Sequence, residues 1–287
     1  MAYPPVLANY DLHAHSHFSD GSLSPTDLLG RAKQRGVDVF ALTDHDTLSG
    51  LDEAITAAKD NEIHLITGVE ISVTWHETAI HVVGLGIDPH FPVLVQALEK
   101  VRDGRVERAK KMALGLSEVG ISGAFEGAMS FVEDPHSISR THFARFLVDQ
   151  GICGTVSEVF TRFLVKGKPG YVPMQWADLA EAISWIKGAG GVAVVAHPGR
   201  YKMLPKELSD FFREFQRLGG EGLEVVTSSH GTEQIDRFAH WCRTHGLYAS
   251  RGSDFHAPSE SKTDLGAIPP LPPFLKPVWT HPRINVQ

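Results

Sequence analysis

Histidines two residues apart, and histidines beside acids, are the residue types that hold divalent metal ions, and this chain repeats both patterns. Tyr10-Asp11-Leu12-His13-Ala14-His15 is a short apolar entry into such a pair. Residues i and i+2 of a strand face the same way, so His13 and His15 point together from one strand end. Imidazole nitrogen is a common ligand for zinc, manganese and iron. Further on come Asp20, His45 in Thr43-Asp44-His45-Asp46, Glu70 after Gly68-Val69, and His81. His197 in Ala196-His197-Pro198 follows, then Asp254 and His256 in Gly252-Ser253-Asp254-Phe255-His256. An isolated His-x-His is as readily two solvated side chains; recurrence at successive strand ends argues for a site. Nine candidate ligands exceed what one ion takes, and a carboxylate such as Glu70 can bridge two ions, so a cluster is expected. Mixed imidazole and carboxylate donors suit Mn, Fe or Zn better than Ca.

The elements that must position these residues read as alternating strands and helices. Val37–Leu42 is nearly all apolar, as a strand covered on both faces should be. Ile63–Val69 reads as a strand ending at Glu70. Ile71–Trp75 and Ala79–Leu85 flank His76-Glu77-Thr78 as a hairpin that carries His81. Ser24-Pro25-Thr26-Asp27 has the cap, proline and acid of a helix start, and Gly36 is its stop. A second helix runs from Gly50 to Asp60. The strand–helix spacing predicts parallel βαβ units, and most candidate ligands fall at C-terminal strand ends, where an α/β barrel collects its chemistry. From Phe91 to about Gly170 helical periods replace strands. After it the rhythm resumes with a helix over Leu179–Lys187 and strands at Gly191–Ala196, Gly222–Val226 and Leu247–Ser250. The prolines at 269–270 and 272–273 predict an extended tail on the surface.

Composition narrows the classes. The chain has 287 residues, 42% hydrophobic and 21% charged, with a formal charge of −7, which argues against a protein coated in nucleic acid. Cys153 and Cys242 form no Cys-x-x-Cys and no framework, so a reducing cytoplasm is expected. Met1–Val6 has neither the charged start nor the apolar run of a leader, and no membrane span or membrane partner is expected.

Together, Asp11–His15, Thr43–Asp46, Gly68–Glu70, Ala196–Pro198 and Gly252–His256 resemble the PHP (polymerase and histidinol phosphatase) family over residues 10–256. The resemblance implies a distorted (β/α)7 barrel of the α/β class with a small helical insertion domain. Its boundaries are expected at 1–103 for the first part of the barrel, 104–170 for the insertion, and 171–287 for the second part and tail. It also implies two or three metal ions, most simply Mn, with Zn or Fe as the other choices. One ion would sit on His13, His15, Glu70 and Asp254, a second on Glu70, His81 and His197, a third on Asp20, His45 and His256. Asp20, Glu70, His197 and Asp254 are the expected catalytic residues. Arg140–Arg145 and Lys166–Val172 resemble the stand-alone bacterial branch, whose members are 3′,5′-nucleotide bisphosphate phosphatases and 5′→3′ exoribonucleases.

The implied activity is removal of the 3′-phosphate from a 3′,5′-bisphosphonucleotide, by in-line attack of a hydroxide bridged between metals, together with 5′→3′ trimming of short 5′-phosphorylated RNA. The partner is then a small nucleotide or short RNA, and no DNA duplex. Between Arg102 and Lys168 ten Lys/Arg face eight acids, so the insertion is net positive in an acidic chain. A phosphate that is not cleaved needs a fixed cation, and arginine forks suit it. Arg102, Arg105 and Arg108, spaced by three, are expected near one helix face. Candidate substrate contacts are His17, Arg102, Arg105, Arg140, Thr141, His142, Lys168 and Arg200. His142 serves equally as a metal ligand. Tyr171, Phe163 and Trp176 are candidates to stack on a base, and Asp44, Asp46 and His17 to orient ligands or protonate the leaving group. The alternatives are a phosphatase of another phosphomonoester such as histidinol phosphate, a non-catalytic metal-binding module, or an amidohydrolase. The last is disfavoured because no strand end carries a lysine.

Overall fold

In a computed structural model of the chain, residues 8–284 are described; Met1–Val6, where no leader is expected, lie outside them. Seven strands form one sheet in sequence order: β1 (Tyr10–Asp11), β2 (Val39–Leu42), β3 (His64–Trp75), β4 (Thr78–Leu85), β5 (Val192–Val195), β6 (Gly222–Thr227) and β7 (Tyr248–Gly252). β1, β2 and β3 are mutually parallel, as are β5, β6 and β7, while β4 runs antiparallel to both neighbours. Leu12 N donates to Arg251 O at 3.1 Å, and Asp254 N to His13 O at 2.8 Å, bringing the first strand back against the last. The result is a distorted seven-stranded α/β barrel.

Why the strands are apolar almost throughout follows from this closure. Val39, Ala41, Ile66, Val83 and Val194 fill the barrel interior, and their alternating neighbours Phe40, Leu42, Leu65, Val82 and Val195 pack outward under helices. Each large aliphatic or aromatic side chain so buried contributes about 1.5–3 kcal/mol. The covering helices are α1 (Pro25–Gln34), α2 (Leu51–Asp60), α3 (Pro92–Arg102), then α8 (Leu179–Gly188), α9 (Pro205–Arg217) and α10 (Thr232–His245). The Ser24 hydroxyl caps α1 by accepting from Asp27 N at 3.0 Å. Between α3 and α8 lie α4 (Arg105–Ser117), α5 (Ala124–Met129), α6 (Arg140–Asp149) and α7 (Val156–Val159), the last continuing as a π-turn over Phe160–Leu164. These share a core of their own around Met112, Leu116, Phe143, Leu147, Val159 and Leu164.

Three expectations change. β3 does not end at Glu70: it is one twelve-residue strand whose first half pairs with β2 and whose second half pairs with β4. The alternating run Glu70-Ile71-Ser72-Val73-Thr74-Trp75 keeps it extended past the point where β2 stops. The tail is not a surface strap. Val278 and Ile284 are buried in the barrel interior, Ala249 N donates to Lys276 O at 2.8 Å, and Trp279 stacks on Tyr10 at 3.8 Å. It thus plugs the end of the barrel opposite the ligand-bearing strand ends. Finally, Arg102 does not share a helix face with Arg105 and Arg108, which do share one over Trp176, because the chain breaks at Gly104, whose φ of 83° few other residues adopt. Among the described residues no helix is long and apolar enough to cross a membrane.

Candidate metal centre

His13 and His15 leave β1 side by side, their Nε2 atoms 3.1 Å apart. The seam with β7 allows this because residue 252 is glycine: a Cβ there would lie 2.3 Å from His13 Cβ. Glu224, from the middle of β6, takes His13 Nδ1 at 2.7 Å and accepts from His197 N at 2.6 Å. With Nδ1–H engaged, the lone pair of His13 Nε2 faces the cluster. It meets Glu70 Oε2 at 3.3 Å and Asp254 Oδ1 at 3.5 Å, and His15 Nε2 meets the same two atoms at 3.4 and 3.2 Å.

Glu70 is the hub. Its Oε2 lies 3.0 Å from His45 Nδ1, and its Oε1 lies 3.0 Å from His81 Nδ1 and 2.9 Å from His197 Nε2. Asp20 closes the far side, with Oδ1 3.3 Å from His256 Nε2 and 3.8 Å from His45 Nε2. All nine expected ligands therefore meet at one end of the barrel. They form four overlapping groups whose donor atoms lie within 4.8 Å of one another: His13/His15/Asp254, His13/Glu70/His197, His45/Glu70/His81 and His15/Asp20/His45/His256. Compared with the sets the resemblance implies, His15 also stands with Asp20, and His45 stands with Glu70 and His81. Asp46, His197 and Asp254 hold φ of 53°, 27° and 54°, conformations that L-residues adopt at a cost and that cluster at functional sites.

The donor set fits divalent ions. Asp20 Oδ1 and Glu70 Oε2 are buried without a hydrogen-bond donor, although such atoms ordinarily find one. The electrostatics agree. Burial alone would raise the carboxyl of Glu70, yet His45, His13 and His81 hold it well below the usual range. Burial would likewise raise Asp20, but His256 and His45 hold it low, and Asp254 is held low by Arg200 and His13. Conversely, burial depresses His45, but Glu70 and Asp20 lift it to about 9. His15, buried and facing His256 and His45, falls to about 3. Carboxylates kept ionised, and able to draw protons onto neighbouring imidazoles, are a site built for positive charge.

Above this floor lies a cleft of about 180 Å³, walled by Arg105, Arg108, Arg140 and Arg200 with Phe160 and Trp176. Arg140 lies over Phe160 at 5.4 Å, and Arg105 and Arg108 lie over Trp176 at 4.6 and 5.4 Å. Arg105 is committed to Asp46, and Arg200 reaches Asp254 at 2.5 Å. Arg108 and Arg140 pair with no carboxylate among the described residues. Burial and mutual repulsion lower Arg108 to about 10.

Other candidates lie elsewhere. Arg102, beyond the break at Gly104, pairs with Asp134 at 2.8 Å beside a separate pocket. Lys168 is exposed on the insertion and outside the cleft. His17 pairs with Glu133 at 3.2 Å. His142 is buried, its Nδ1 accepting from Ser139 N at 3.0 Å as the cap of α6, so it contacts neither the cleft nor the cluster. Thr141 does line the cleft, but its hydroxyl donates to Asp20 Oδ2 at 2.8 Å. Asp44 spends its oxygens on Ser16 and Ser19, and Asp46 on Ser72 and Arg105, which leaves them as braces rather than proton donors. Trp176 braces arginines, and Phe160, not Phe163 or Tyr171, reaches the cleft. Glu224 and Phe160 were not singled out from sequence. Glu224 had a signal, a lone acid inside the apolar run Gly222–Val226.

Comparison with known proteins gives the following. The chain matches the PHP domain over residues 11–229. It is 50% identical over 273 residues, 95% of this chain and 96% of the relative, to a protein of Chromobacterium violaceum called 3′,5′-nucleoside bisphosphate phosphatase. It is 41% identical over 274 residues, 96% of this chain and 99% of the relative, to a 5′-3′ exoribonuclease of Haemophilus influenzae. A solved structure from C. violaceum, described as an amidohydrolase with bound sulfate, superposes with a TM-score of 0.92 at 50% identity, covering 95% of each chain.

Proposed function

Because the chain belongs to the PHP family, whose metal-dependent phosphoester chemistry its donor cluster suits, we propose that it removes the 3′-phosphate of 3′,5′-bisphosphonucleotides. Adenosine 3′,5′-bisphosphate would yield the 5′-monophosphate and phosphate. The observation that carries this reading is the pair Arg108 and Arg140, half-buried, without carboxylate partners, and in the same cleft as the nine-ligand floor. Two half-buried guanidiniums that repel each other are stabilised by a shared anion, and phosphate matches their fork geometry. One phosphate then rests on the arginines while the other rests on the floor.

In this reading His13, His15, Glu70 and Asp254, Glu70 with His81 and His197, and Asp20 with His45, His256 and His15 hold two or three divalent ions, manganese first among the candidates. Bound there, such ions supply Lewis acidity and a low-pKa water. The chain does the rest. Glu224 fixes the tautomer of His13, Arg200 lies over the floor beside Asp254, and Trp176 holds Arg105 and Arg108 in place. Phe160 offers its face to the base, which accepts any base. The reaction belongs in the cytoplasm, where the unpaired thiols of Cys153 and Cys242 persist.

The test is phosphate release by the manganese-loaded protein from adenosine 3′,5′-bisphosphate, AMP and histidinol phosphate. Strong preference for the bisphosphate supports the reading; equal turnover of all three contradicts it.

A further inference from the structure

The insertion and the metal floor meet at Asp20. The Asp20 carboxylate is buried, and its two oxygens face different parts of the molecule. Oδ2 accepts from the Thr141 hydroxyl at 2.8 Å and from the Ser139 hydroxyl at 3.3 Å, both at the start of α6. Oδ1 has no hydrogen-bond donor and is turned toward His256 and His45. Ser139 is itself fixed, since its hydroxyl also accepts from Thr141 N at 3.1 Å and its N–H is held by His142. One turn further along α6, Arg145 donates to Asp20 O at 2.7 Å and to Glu260 Oε1 at 2.6 Å. The helix therefore grips the Asp20 loop twice, once by its backbone and once by its carboxylate.

We propose that Thr141 is a positioning residue of the insertion that aims Asp20 Oδ1 into the His15/His45/His256 group, so that docking of the insertion completes that metal position. A carboxylate with one oxygen tied cannot rotate about its terminal bond without breaking that bond, and pre-aimed ligands lose less freedom on binding an ion. Linkage makes the effect reciprocal: an ion at Asp20 also holds α6 against the barrel. The inference rests on the reading of Asp20 as a ligand, and the test separates the two.

The full chain, reconstituted with manganese and desalted, is assayed for bound metal by mass spectrometry and for affinity by calorimetry, without substrate. Asp20→Asn is expected to lose one equivalent; if it keeps every equivalent, Asp20 is no ligand and the inference falls with that reading. Thr141→Val keeps the branched shape without the donor, and is expected to weaken the same binding step by about 10- to 100-fold. Thr141→Ser, which restores the donor, is expected to recover it. Wild-type affinity in Thr141→Val overturns the inference while leaving Asp20 a ligand. Arg145→Met frees the backbone grip but not the carboxylate. A loss in Arg145→Met equal to that in Thr141→Val would mean that docking alone matters, and would also overturn it.

Discussion

Glu224 accepts from one histidine of the floor and from the backbone of another, so a single buried acid sets how both present themselves. In Glu224→Gln the amide keeps one acceptor oxygen, which can serve His13 Nδ1 or His197 N but not both. Manganese affinity should fall about 10- to 100-fold while the barrel stays folded, measured by calorimetry beside circular dichroism. Unchanged affinity would show that His13 needs no partner. Most of the floor residues were legible because strand ends announce themselves: an apolar run stops and a histidine or acid follows, although Glu70 and His81 lie inside β3 and β4. Side-chain partnerships were not. Arg102 and Arg108 look equivalent by spacing, and only the turn at Gly104 sends one to Asp134 and leaves the other facing the cleft. Thr141 and His142 look like substrate contacts by resemblance, yet the hydroxyl is spent on Asp20 and the imidazole on capping α6.

At the scale of elements, α6 carries a pH dependence of its own. His142 is lowered from 6.5 to about 4, chiefly by burial. Its neutral Nδ1 accepts from Ser139 N, and a protonated ring would lose that bond. As pH falls from about 6.5 toward 4 the unfolded chain takes up this proton before the folded chain does, so stability is full above that window and is lost descending through it. Glutamine at the same position of a capping box accepts the same N–H and does not titrate. His142→Gln should flatten part of the decline in melting temperature between those pH values; an unaltered decline would place the proton elsewhere. The strand–helix alternation and the helical insertion were readable from periodicity. The length of β3 was not, because its continuation is stabilised by pairing with β4, and the tail's place was not, because prolines conceal that Val278 and Trp279 finish a core that the chain first lays down at Tyr10 and Leu12.

For the whole molecule, the floor concentrates ionised carboxylates and competing imidazoles at one end of the barrel, and ligands that bind only the folded state stabilise it. Manganese at about 100 times its dissociation constant contributes about 2.7 kcal/mol, which for a chain of this size raises the melting temperature by about 5 °C or more over the EDTA-treated protein. No difference by differential scanning calorimetry would argue against a resident metal. The central claim, that one cleft holds two phosphates of one nucleotide, is tested most directly by removing one phosphate and one arginine in turn. We would measure kcat/KM for adenosine 3′,5′-bisphosphate and for adenosine 3′-monophosphate, in the manganese-loaded wild type and in Arg140→Ala. A lost charge-assisted contact predicts a fall of about 10- to 100-fold on the bisphosphate with little change on the monophosphate, so the wild-type preference collapses in the variant. Equal losses on both substrates, or no preference in the wild type, would contradict a phosphate site at Arg140.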